Sequence, residues 1–315
     1  MAKSVSPQPP GLPLGGLLRR AAPLLTIAGV IVGGTYWAWS RQQARIEAEG
    51  HYKIALSDIR ITPIPEWITT DVIAEALRDA SLDPPLSALD PTLAERVAKA
   101  LAFHPWIAEV RRVRTLTGGL EIDVDYRRPV CMVELPPNNG KRGLYAVDIV
   151  GTLLPSRDFL DEPKKAASYP RLGGFVPAEV GRVGLKWPDA RILEGAKVAV
   201  ALHPVWAKLN LAKIAPQESS TATSSTPGFE LLTNDGSRVV WGRAPGSEAK
   251  GEMLADNKIE SLVRYVADHG SLEGRDGPQQ LDVRGAQLVI VAELEKPKAG
   301  DDDASAAKPT TVKQK

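Results

Sequence analysis

The chain has 315 residues, 43% of them hydrophobic and 24% charged, with a formal net charge of +1. That length allows about two domains, and the near-neutral balance leaves no strong basic field to hold nucleic acid. A single cysteine, Cys131, excludes an intramolecular disulfide and a cysteine-based zinc site.

Residues 1–20 are rich in Pro and Gly and read as a disordered cytoplasmic tail. Residues 21–39, AAPLLTIAGVIVGGTYWAW, carry no charge. At about 1.5 Å per residue such a helix spans a hydrocarbon core of roughly 30 Å. Arg19, Arg20 and Arg41 flank it, and Tyr36, Trp37 and Trp39 stand at its end, where interfacial aromatics are expected. A cleaved signal peptide would have a shorter apolar run ending in small residues. The expectation is a transmembrane helix over 21–39, with Lys3, Arg19 and Arg20 leaning the N-terminus toward the cytoplasm.

Folded sequence begins near Tyr52. The first block, 52–127, opens with a strand over Ile54 to Ile61. Thr69 and Thr70 offer an N-cap for a helix through Ala80, and Asp90-Pro91 starts a second helix, with Ala94, Val97, Ala98 and Leu101 at helical spacing. Pro105 stops that helix and disfavours the helical conformation at His104. Trp106 to Leu116 fits a helical period, but its β-branched content and the preceding proline favour a strand. In GLEIDVDYR, Leu120, Ile122, Val124 and Tyr126 alternate with Glu121, Asp123, Asp125 and Arg127, which is a half-buried strand. The order is β-α-α-β-β.

The second block, 128–293, carries strands at VCMVEL and LYAVDIVGTLL, the latter broken by a turn at Gly151. A helix runs from about Asp189 to His203-Pro204. Strands near 228–233 and 237–241 flank Asn234-Asp235-Gly236-Ser237, a hairpin signal. A helix from about Ser247 to His269 ends at Gly270, and LDVRGAQLVIVAEL closes the block as one strand. The Ser/Thr-rich stretch 216–228 and the polar tail 294–315 read as disordered.

No chemistry-bearing motif stands out. There is no Gly-x-Ser-x-Gly, His-Glu-x-x-His, Cys-x-x-Cys, Walker A loop or Gly-x-Gly-x-x-Gly. The four histidines are scattered. His104, His203 and His269 each fall at a helix C-terminus, where a partly charged imidazole suits the exposed carbonyls. His-Pro-Trp (104–106) therefore reads as a helix-to-strand joint rather than a reactive site. Asp123 and Asp125 share a solvated sheet face, and Asp301 to Asp303 lack a fixed oxygen cage for a cation. Arg111, Arg112, Arg114, Arg127 and Arg128 form a basic cluster within a mixed-charge face. The expectation is a protein with no catalytic residues, no metal, no cofactor and no small-molecule substrate.

The order of segments resembles the FtsQ/DivIB family of cell-division proteins. ITPIPEWITTDVIAEAL, FHPWIAEVRRV, LEIDVDYRRPVCMVEL and LYAVDIVGTLLP resemble, in order, its POTRA domain and the start of its β-domain. YPRLGGF, DGSRVVWGR, EAKGEMLADNKIESLV and QLDVRGAQLVIV resemble successive later parts. The resemblance covers about residues 52–293. It implies a non-catalytic bitopic member of the inner membrane, with its C-terminal domains extracytoplasmic and concentrated at the division septum. It implies an FtsB/FtsL coiled-coil pair as partner, bound by strand addition near the C-terminus, and through it an influence on septal peptidoglycan synthesis. The matching strand is Leu281 to Ala292, giving Leu281, Val283, Arg284, Leu288, Val289, Ile290 and Val291 as partner-binding residues. The same pattern also fits a plain core strand. In many relatives an aromatic follows the Asp-hydrophobic-Arg motif, whereas here Gly285 follows Asp282-Val283-Arg284. Recruitment through the POTRA domain falls on Arg111, Arg112 and Arg114. The expected fold class is α+β: one transmembrane helix, a POTRA module, then a mixed domain with a mainly antiparallel sheet. A POTRA-bearing transport or secretion component is the rival reading. Such proteins usually carry POTRA repeats before a barrel, and this chain lacks a run of alternating strands long enough for one.

Overall fold

The computed structural model describes residues 30–40, 52–138, 141–160, 163–177, 179–272, 274 and 277–294. Residues 30–40 form a helix, α1. The expected membrane-spanning helix over 21–39 is overturned: among the described residues no helix is long and apolar enough to cross a membrane. Residues 21–29, the tail 1–20 and residues 295–315 lie outside the described residues.

The first block holds β1 (Lys53–Ile54), β2 (Ile59–Ile61), α2 (Val72–Asp79), β3 (Leu86–Ser87), α3 (Leu93–Ala102), β4 (Ile107–Leu116) and β5 (Gly119–Tyr126). The β-α-α-β-β order is present, with a small antiparallel ribbon of β1 and β3 added. The unbroken strand expected over 54–61 is interrupted by a 3-10 turn at Leu56–Asp58, because the Asp58 carboxylate folds back to accept from the Ala55 N–H. β5 lies between β2 and β4, parallel to the first and antiparallel to the second. Leu120, Ile122 and Val124 of β5 meet Val72, Ala76 and Leu77 of α2 and Leu93, Val97 and Leu101 of α3 in one core. The cap of α2 is Asp71, which accepts from the Ala74 N–H at 3.0 Å, and not Thr69 or Thr70. α3 starts two residues after Pro91, since Asp90 accepts from both the N–H and the hydroxyl of Thr92 and holds a turn there.

The second block holds β6 (Cys131–Asn138), β7 (Lys141–Val147), α4 (Arg157–Leu160), α5 (Pro163–Ala167), β8 (Arg171–Leu172), α6 (Ala190–Leu202), β9 (Leu211–Pro216), β10 (Gly228–Thr233), β11 (Arg238–Arg243), α7 (Ala255–His269), β12 (Gln279–Asp282) and β13 (Val289–Glu293). Its eight strands lie in the order β13-β12-β11-β10-β9-β8-β6-β7. The sheet is mixed. Antiparallel pairs (β6–β7, β9–β10, β10–β11, β12–β13) only slightly outnumber parallel ones (β6–β8, β8–β9, β11–β12).

Three expectations change here. α7 starts at Ala255 rather than near Ser247, because Gly246 and Gly251 sit at φ +83° and +86°, which breaks a helical run. The closing strand is two strands. The Asp282 carboxylate accepts from the Arg284 N–H at 2.9 Å, and the chain turns over 283–288 so that β13 returns antiparallel to β12. The 216–228 stretch, expected to be disordered, has a hydrogen-bonded structure. The Ser220 hydroxyl accepts from the Gly228 N–H at 2.9 Å, and the Ala222 carbonyl accepts from the Ala190 N–H at the start of α6 at 2.8 Å. Its hydroxyls satisfy its own turns, which composition does not reveal.

The boundary at 127/128 does not separate two cores. Met132 and Ala146 join the core of the first block, together with Leu154, Phe159 and Ala166. Their neighbours Cys131, Val133 and Val147 point the other way, into the core under α6. The period-2 alternation of a strand thus puts one end of the large sheet between two cores. Asp158 fastens them. Its buried carboxylate accepts from the N–H groups and hydroxyls of Thr69 and Thr70, at 2.7 to 3.1 Å, and from the Trp106 indole at 3.0 Å. Burial alone would raise its pKa. The bonds from Thr69, Trp106 and Thr70 outweigh that and hold it below the usual carboxylate range.

His-Pro-Trp belongs to this joint. The His104 ring is buried, and burial pushes its pKa down. Burial thus favours the neutral imidazole, against the partly charged one expected at a helix end. Nδ1 accepts from the Trp106 N–H at 3.3 Å, which places the proton on Nε2, facing Glu75 at 3.4 Å. Glu75 also pairs with Arg157, and this bond is the main cause of its lowered pKa.

Candidate partner-binding edge

β13 is the outermost strand of the large sheet, so one side of its backbone has no strand neighbour among the described residues. Its pairing with β12 runs Asp282 to Val289 and Leu281 to Ile290, then slips, so that Gln280 faces Ala292 and Val291 is the extra residue of a bulge. Val289, Ile290 and Val291 are 55%, 53% and 55% exposed. Edge strands are usually guarded by lysine, proline, bulges or very short length, and the bulge at Val291 is one such feature. This strand nonetheless offers three consecutive apolar β-branched residues.

A groove of about 560 Å³ runs between β13 and α7. One wall is Leu288, Val289 and Ile290; the other is Arg264, Tyr265, Asp268 and His269. The Tyr265 and His269 rings stack with centroids 4.1 Å apart. The Tyr265 hydroxyl accepts from Gln279 Nε2 at 2.8 Å, which ties the helix wall to β12. The groove thus pairs an open backbone edge with a fixed aromatic and polar wall. That is the arrangement strand addition uses: main-chain bonds for affinity and an adjacent pocket for side-chain choice.

The residues expected to bind a partner divide. Val289, Ile290 and Val291 lie on the open edge, and Leu288 is half-buried at its start, packed on the core. Leu281 and Val283 are fully buried core residues and are not brought to the edge. Arg284 is turned away and held bidentate by Asp282. It lines a separate polar cleft with Arg243, Lys250 and Glu252. Sequence reading missed the α7 wall. The polar side chains of Ser261, Arg264, Asp268 and His269 recur at helical spacing, which shows a solvated face, but nothing local shows that this face borders β13.

Arg111, Arg112 and Arg114 lie on β4. Arg111 pairs with Asp125 at 2.7 Å and Arg114 pairs with Glu121. Arg112 sits opposite Asp123 in the strand register. Arg112 and Arg114 line a shallow cleft of about 370 Å³ with Arg60 and Thr62. The cluster is a mixed-charge sheet face, and surface pairs of this kind hold their geometry weakly.

Among the described residues no group of three or more His, Cys, Asp or Glu is placed to hold a metal ion. No protein-family model matches the chain, and no curated protein matches it in sequence.

Proposed function

We propose that this protein is a non-catalytic scaffold of the cell-division machinery, of the kind its FtsQ/DivIB resemblance implies. It binds an FtsB/FtsL-like coiled-coil pair by accepting a strand along β13, and so influences septal peptidoglycan synthesis. One observation carries this reading: an exposed apolar edge, Val289 to Val291, beside the α7 groove. A β-α-α-β-β module ahead of the sheet agrees with the family's layout.

The test is binding of the purified pair to the full chain and to Val289→Asp. A carboxylate on the edge has to be desolvated when a strand is added. Affinity should drop by tenfold or more, while circular dichroism and the unfolding midpoint stay as in the parent. Unchanged affinity in a folded variant would remove β13 as the acceptor. In dividing cells a fluorescent fusion should gather at midcell as constriction begins; an even distribution through the cell cycle would sink the division reading.

A further inference from the structure

At the opposite end of the sheet, the described residues of GGFVPAEVGRVGLKWPD, 173–177 and 179–189, form a loop with two faces. Phe175 and Trp187 are buried beneath it. Gly181 lies flat on the Trp187 indole, where a Cβ would come within 2.9 Å of the ring, and Gly184 lies against Pro105. The backbone is tied down. Gly184 N–H donates to the Leu153 carbonyl at 2.8 Å, Leu153 N–H to the Leu185 carbonyl at 3.0 Å, and Trp187 N–H to the Gly151 carbonyl at 2.9 Å. The Trp187 indole donates to the Glu179 carbonyl at 2.9 Å.

Phe175, Pro177 and Trp187 take the inner face, whereas four aliphatic side chains point outward. Val176, Val180, Val183 and Leu185 are 50% to 69% exposed within ten residues. Thr152 bridges Lys186, and Ile149 and Val150, in the turn just before Thr152, are exposed as well. An apolar face held rigidly in water marks a docking surface. It offers no open strand edge, since its backbone bonds run inward to 151–153. Interleaved with the valines are Arg182 and Lys186, both exposed and without an acidic partner among the described residues; Glu179 is the one exposed carboxylate of the loop. Asp148 and Asp189 nearby are buried and committed to Arg127 and Arg191.

We infer that this face docks on an anionic lipid surface. Short apolar side chains would enter the headgroup boundary while Arg182 and Lys186 meet lipid phosphates. Nothing in this inference depends on β13, which lies five strand spacings from β8, where the loop begins, roughly 24 Å at about 4.8 Å each.

The test uses the full chain with an environment-sensitive fluorophore on Val183→Cys. Labelling is selective because Cys131 is wholly buried and its thiol pKa is pushed up to about 12. Because residues 21–39 carry no charge, overall adsorption to vesicles is uninformative and the local probe is the readout. On vesicles containing phosphatidylglycerol, the emission should shift to the blue and be quenched by doxyl lipid. On phosphatidylcholine alone the response should be much weaker. Arg182→Gln with Lys186→Gln should weaken the docking on the order of tenfold. The same label on Asp268→Cys, beside β13, should stay aqueous. The inference is overturned if the label on Val183→Cys stays aqueous on anionic vesicles. It is also overturned if that label is already shielded without lipid, as a second copy covering the face would cause, or if Asp268→Cys responds equally. Leu185→Cys replaces Val183→Cys should the latter fail to fold.

Discussion

The two ends of the eight-stranded sheet are built in opposite ways. At the β7 end, alternate side chains of β6 and β7 enter two different cores. The outer backbone is also occupied at the C-terminal end of β7: Val147 bridges Leu153, and Leu154 N–H donates to the Ala146 carbonyl at 2.9 Å. At the β13 end the last strand has five residues, a bulge, and three apolar side chains in water. Both are edges of one sheet. An edge whose polar groups are satisfied within the chain serves folding, while one left unsatisfied and apolar is available to another chain.

The largest effects should come from breaking the closed end. Asp158→Ala removes a buried acceptor from five donors of Thr69, Thr70 and Trp106, of which the Trp106 indole is fully buried. The loss should be about 4 kcal/mol in urea unfolding. A loss under about 1 kcal/mol would show that the two cores hold together without this carboxylate.

The open end has its own fastening one layer in. Lys258 is fully buried, donates to Glu252 at 2.7 Å and lies 4.7 Å from the Trp241 ring centre. Lys258→Ala should cost about 3 kcal/mol, because Glu252 is left as an uncompensated buried charge. Lys258→Met should cost clearly less, since the apolar stem is kept beside Trp241. Equal losses in the two variants would mean that the charge lost in both, not the packing of the stem against Trp241, holds α7 in place.

Acid should act on the closed end first. The folded pKa of His104 lies below its ordinary value near 6.5, so the unfolded chain takes up a proton that the folded ring refuses. Its contribution is intact above pH about 6.5 and is lost as the pH falls below that value. Asp158 and Glu75, with lowered pKa values, add their losses only further into acid. Between pH 7 and 5 the parent should therefore lose stability in urea unfolding. His104→Asn keeps an acceptor near the Nδ1 position and should flatten that slope. An unchanged slope would assign the acid sensitivity to another group.

The sequence showed much of the closed end and little of what joins it. The alternation in 119–127 and the proline at 105 were enough to place β5 and the helix-to-strand joint. Asp158 was not legible, because its five donors lie 52 to 89 residues away in the chain. Nor was the dual loyalty of β6. Cys131, Met132 and Val133 are all apolar, and a continuous apolar run does not say which core each residue enters. At the open end the apolar run 288–291 was visible. Its meaning changed because the Asp282–Arg284 turn, a two-residue contact, splits the strand and sends β13 outward. The α7 wall depends on tertiary placement alone.

The smallest expected change in stability is also the sharpest probe of the comparison. Ile290→Lys puts a long cation on the edge where solvent already reaches more than half of the residue. If β13 is open, the ammonium stays in water and unfolding stability shifts by less than about 0.5 kcal/mol. The free protein should then associate less at high concentration, since a lysine on an edge strand opposes edge-to-edge pairing. Light scattering across a concentration series reads this directly. Should Ile290→Lys instead lower stability by more than about 1 kcal/mol, β13 is packed much as β7 is, and the contrast between the two ends disappears.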